Sequence, residues 1–68
     1  MTNRIEEIRK SRGIRQEEFA KPLGVSRQTI RSLEPGRYNP SIFLAHKIAR
    51  YFEMTIEEVF LFDEEEEV

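Results

Sequence analysis

The chain has 68 residues, no cysteine and a formal net charge of −2. That length holds one small domain, which buries only about 60% of its unfolded surface, and without cysteine neither a disulfide nor a thiolate metal site supports it. No apolar run nears the roughly 20 residues of a membrane span, and the polar opening Met1-Thr2-Asn3-Arg4-Ile5 does not read as a secretion signal. The expectation is a soluble cytoplasmic protein that does not engage a membrane.

The punctuation predicts five short helices in chain order. The first spans about 4–12: Asn3 is the predicted N-cap with Glu6 as its capping-box partner, Ile5 and Ile8 form the apolar face, and Gly13 stops it. The second spans about 16–23, with Phe19, Ala20 and Leu23 inward and Gly24 at its end. Arg15 stands where a capping Ser or Thr is expected, and Pro22 deletes a hydrogen bond to the Glu18 carbonyl, so a kink or early end is expected. The third spans about 27–34, capped by Ser26 and stopped by Pro35-Gly36. At about two turns it is too short to stand alone.

A turn-rich loop follows, Gly36-Arg37-Tyr38-Asn39-Pro40. Ser41 caps a fourth helix over about 42–52, with Leu44, Ala45, Ile48, Ala49 and Phe52 at core spacing. Phe43 falls one position off that stripe and is expected to be partly buried, as is His46, the single histidine. Thr55 and Glu58 form a capping box that opens a short fifth helix ending near Val59 or Phe60. Residues 60–62, Phe-Leu-Phe, read equally as a helix end or a short strand. The acidic run over 63–68 reads as a disordered tail.

The negative total hides an asymmetry. Five of the 13 carboxylates lie in 63–67, which leaves eight against 11 Lys and Arg in the rest, a net of +3. Within 27–50 five basic residues stand against Glu34 alone, and Glu34 is expected to pair with a nearby Arg.

The second and third helices form a unit. Ala20 permits close approach, Gly24 takes a positive φ cheaply, and Val25, Ile30 and Leu33 pin one helix across the other. Ile30 and Leu33 inward leave Arg27, Gln28, Thr29, Arg31 and Ser32 outward. Taken alone, such a face is also that of an ordinary solvated helix. Arg forks onto guanine O6 and N7, and Gln pairs with adenine N6 and N7, each discriminating by about 1–3 kcal/mol.

The stretch Gln16-x3-Ala20-x3-Gly24-Val25-Ser26-Arg27-Gln28-Thr29-Ile30-x2-Leu33-Glu34 resembles the helix-turn-helix of the phage repressor and Cro family, also called the xenobiotic-response-element family. The match continues through Tyr38-Asn39-Pro40-Ser41 and Lys47-Ile48-Ala49 to Thr55-Ile56-Glu57-Glu58-Val59-Phe60. The resemblance implies an all-α, five-helix, lambda-repressor-like domain over 1–62, with its helix-turn-helix unit at about 16–34. It implies that the second helix rests on the DNA backbone and the third enters the major groove. Base-reading positions are then Arg27, Gln28 and Ser32, with Thr29 beside them. Backbone positions are Gln16, Ser26, Arg31, Arg37, Tyr38, Asn39 and Ser41. Val59, Phe60, Leu61 and Phe62 are the expected dimer interface.

No Ser-His-Asp set, phosphate-cradling loop or metal-ligand spacing is present in the sequence, so neither an enzyme nor a cofactor is expected. The expected function is sequence-specific binding of double-stranded DNA, as a homodimeric repressor on a palindromic operator. The alternative is an antitoxin-like module that binds a protein partner through the 43–62 apolar surface. A third reading keeps the fold without DNA and predicts that Gln28→Ala leaves all binding unchanged.

Overall fold

The computed structural model describes residues 1–62. The expectation of a disordered acidic tail falls on 63–68, outside the described residues. Among the described residues there are five helices, α1 (Ile5–Ser11), α2 (Gln16–Leu23), α3 (Arg27–Leu33), α4 (Ile42–Phe52) and α5 (Ile56–Val59), and no sheet. The all-α expectation holds.

Side-chain caps fix three of the starts. Ser26, Ser41 and Thr55 accept the backbone N–H of Thr29, Leu44 and Glu58, at 3.2, 3.1 and 3.2 Å. In α5 the Glu58 carboxylate also takes the Thr55 N–H at 2.8 Å, completing the predicted capping box. At α2 only half of such a box exists. Glu18 accepts the Arg15 N–H at 2.9 Å, but an Arg side chain has no acceptor to return.

The α1 start differs from the expectation. Asn3 lies one residue before the N-cap, Arg4, and its Oδ1 accepts the Ile5 N–H at 3.0 Å. Its Nδ2 reaches away to the Leu33 carbonyl at 3.0 Å, so Asn3 ties the N-terminus to the end of α3. Glu6 does not complete a capping box; it pairs with Lys10 at 2.9 Å, and that ammonium holds its carboxyl below the usual value.

Pro22 does not shorten α2. Its position in the last turn removes one hydrogen bond, and the chain closes the end immediately afterwards. Gly24, at φ +72°, donates to the Lys21 carbonyl, and Val25 donates to the Ala20 carbonyl. This paired closure is a Schellman motif, which satisfies carbonyls that a helix end leaves open.

The core gathers Ile5 and Ile8 of α1, Phe19, Ala20 and Leu23 of α2, Ile30 and Leu33 of α3, the Leu44 to Phe52 stripe of α4, and Val59 with Phe60. Phe19 and Phe52 stack at 5.2 Å and join α2 to α4. Phe43 and His46 both face solvent instead of being partly buried. The α4 stripe fills the core without them, because Leu44 and Ala45 already cover its inward arc.

Among the described residues, 60–62 form no regular strand. Phe60 makes a single antiparallel bridge with Asn3. Arg4 donates to the Val59 carbonyl at 2.8 Å, and Leu61 donates to the Thr2 carbonyl at 2.9 Å. The backbone of 59–61 is thus paired with the chain's own residues 2–4.

Candidate nucleic-acid interface

At seven residues α3 depends on its neighbours for stability. Ile30 and Leu33, both at 0% exposure, fix its roll against α2 and the rest of the core. That roll turns Arg27, Gln28 and Arg31 fully outward and leaves Thr29 and Ser32 half-buried on the flanks of the same face. The Ser26 hydroxyl, besides capping, lies 3.1 Å from the Thr29 hydroxyl. Both hydroxyls are therefore engaged locally.

Behind this face lies an ion pair. The Arg9 guanidinium meets the Glu34 carboxylate at 2.7 Å (Nε to Oε2) and 3.3 Å (Nη2 to Oε1), and its Nη1 donates to the Ile14 carbonyl at 2.7 Å. Gln16 donates its Nε2 to the same carboxylate at 3.1 Å. One carboxylate thus binds the end of α1, the start of α2 and the end of α3. It is also the single carboxylate in 27–50, and its side chain is only 3% exposed. The exposed charges of that segment are Arg27, Arg31, Arg37, Lys47 and Arg50, all positive.

The loop after α3 presents Arg37, Tyr38 and Asn39, with Ser41 exposed at the head of α4. The Asn39 Oδ1 accepts the Met1 amino group at 2.9 Å. His46 lines an open groove with Pro22, Lys47, Arg50 and Tyr51.

The expected interface at 59–62 needs correction. Val59 and Phe60 are at 0% exposure and belong to the chain's own core, because the bridge to residues 2–4 draws them inward. Leu61 is half-buried, and Phe62 is 48% exposed. Phe62 borders an apolar recess of about 250 Å³ with Pro40, Ile42 and Ile56. Ile42, 72% exposed, was not singled out in the sequence; an apolar residue on the first turn of an otherwise explained helix was the available signal. Arg9 was also missed, although it sits next to Ile8 on the inward side of α1.

Residues 5–59 match the Cro/C1-type helix-turn-helix family. The chain belongs to that family.

Its relatives include an uncharacterized HTH-type transcriptional regulator of Archaeoglobus fulgidus, 56% identical over 97% of this chain and 94% of that protein. Another, from Methanocaldococcus jannaschii, is 46% identical over 97% of this chain and all of that protein. YgzD of Bacillus subtilis, also an uncharacterized HTH-type transcriptional regulator, is 43% identical over 96% of this chain and 98% of that protein. As a Cro/C1-type helix-turn-helix protein, the chain is a DNA-binding transcriptional regulator. Among the described residues no helix is long and apolar enough to cross a membrane.

Proposed function

We propose that this protein represses transcription in the cytoplasm by binding a palindromic operator as a homodimer. The observation that carries the reading is the sign of the exposed charge. From Arg27 to Arg50 every exposed charged side chain is basic, and the lone carboxylate is turned inward and neutralised by Arg9. A polyanion approaching this face meets no repulsion from the segment.

Arg27, Gln28 and Ser32 read bases, with Thr29 beside them. Gln16, Ser26, Arg31, Arg37, Tyr38, Asn39 and Ser41 hold the phosphate backbone. Gln16 has a second N–H beyond the one bound to Glu34, and that N–H is the phosphate donor. Leu61 and Phe62, together with Ile42, form the contact between two copies, so that two reading helices meet half-sites about one turn apart.

The test is selection of bound fragments from the source genome, wild type against Arg27→Ala/Gln28→Ala. Enrichment of a roughly palindromic site by wild type alone supports the reading. Enrichment of nothing by either protein overturns it. A second reading uses the exposed Ile42 and Phe62 differently, as the seat of an antitoxin-like protein partner. Purification from the source organism separates the two: a homodimer of this chain supports the first, and a stable heteromer supports the second.

A further inference from the structure

A recess of about 190 Å³ opens between α3 and the loop that follows it, lined by Gln28, Thr29, Ser32 and Tyr38. Roughly 30 Å³ suffices for a water molecule, so the recess admits a group of methyl size with the edge of the ring that bears it. Gln28 and Ser32 lie four residues apart, one turn along the outward face. The recess therefore lies along the line of base-reading positions.

Its chemistry is not that of a hydrogen-bonding site alone. The Thr29 hydroxyl lies 3.1 Å from that of Ser26, which commits part of its hydrogen-bonding capacity, and the side chain also carries a methyl group. Tyr38, 39% exposed, supplies an aromatic wall from the loop, and Gln28 contributes its methylenes. More apolar than polar surface lines the cavity. On the edges of bases in the major groove, the apolar group is the 5-methyl of thymine.

We infer that this recess takes the 5-methyl group of a thymine next to the base read by Gln28. Thr29 and Tyr38 then determine specificity by shape, in addition to the base-edge and backbone roles proposed for them above. The inference rests on the proposed DNA reading of α3. Burial of one methyl is worth about a fourfold change in affinity for each recess occupied.

The experiment starts from the selected operator and replaces each thymine in turn by deoxyuridine, which deletes only the methyl. Binding is measured by fluorescence anisotropy for wild type, Thr29→Ser and Tyr38→Ala. Thr29→Ser keeps the hydroxyl that meets Ser26, and Tyr38 lies outside the core, so both variants retain the fold. One thymine per half-site is expected to weaken wild-type binding about fourfold when demethylated. Replacement by 5-bromodeoxyuridine, whose bromine refills the space, restores it. Both variants are expected to be indifferent at that position. If every uracil substitution is neutral while the site is still bound specifically, the recess is overturned and the DNA reading survives. If one thymine matters equally to all three proteins, its methyl sits elsewhere and the recess is again overturned. If no operator is selected at all, the DNA reading itself has failed.

Discussion

Arg9 and Glu34 meet as a two-point fork, at 2.7 and 3.3 Å, with side chains only 7% and 3% exposed. Two charges taken out of water in this way are held by geometry, and either one alone is a liability. Glu34→Gln leaves a buried guanidinium without its countercharge and is expected to cost about 3–5 kcal/mol. A 68-residue domain has only about 3–10 kcal/mol of stability in total. Urea unfolding checks the loss. The double change Arg9→Met/Glu34→Leu is expected to recover most of it, since an apolar pair of similar volume needs no countercharge.

The outward face of α3 answers to a different measurement. Arg27→Ala and Gln28→Ala are each expected to weaken operator binding by about 1–3 kcal/mol and to relax base preference at one position. Both side chains are exposed, so thermal unfolding should stay within about 0.5 kcal/mol of wild type. A loss of binding matched by a loss of stability would remove these residues from the reading set.

Arg31 and Arg37 are assigned to attraction rather than reading. Arg31→Ala or Arg37→Ala is expected to weaken binding uniformly across sequences. Each should reduce the slope of log affinity against log salt by about 0.9. A titration from low to physiological salt with two unrelated DNA sequences distinguishes this from a specific effect.

At 60–62 two adjacent aromatics should behave oppositely. Phe60→Ala empties a fully buried site and is expected to cost about 3–5 kcal/mol. Phe62→Ser combined with Ile42→Ser removes exposed apolar surface and should leave the fold intact. Sedimentation is expected to show that pair shifted toward monomer, with operator affinity falling in step.

The C-cap of α4 contains the one described non-glycine residue at positive φ, Glu53 at +60°. An L side chain there costs roughly 1–2 kcal/mol, while a glycine loses about 0.5–1 kcal/mol through chain entropy. Glu53→Gly is therefore expected to stabilise the protein by about 0.5–1 kcal/mol, a rise in melting temperature of roughly 2–8 °C.

Most of this architecture is local and was legible. Ser26, Ser41 and Thr55 start helices where their side chains cap them, and Gly24 ends α2 where a left-handed residue is needed. The helix-turn-helix follows from short spacings of that kind. What escaped is carried by contacts distant in sequence. Asn3 looks like an ordinary N-cap until its Nδ2 is found on the Leu33 carbonyl. Val59 and Phe60 look like a surplus apolar edge until residues 2–4 pair with them. Arg9 looks solvated until Glu34, 25 residues away, arrives opposite it. Helical period separates inside from outside, but it does not tell which partner a polar group on the boundary will find.

The roll of α3, set by Ile30 and Leu33, has a consequence for descent. The helix is divided into a fixed half and a replaceable half. Positions 27, 28 and 31 are exposed and the half-buried position 32 adds no apolar side chain to the core, so they tolerate exchange while the scaffold stays folded. Under the proposed reading, a duplicated copy acquires a new operator by drifting at these few sites, one at a time, without passing through an unfolded ancestor. The small core thereby preserves the freedom to change address.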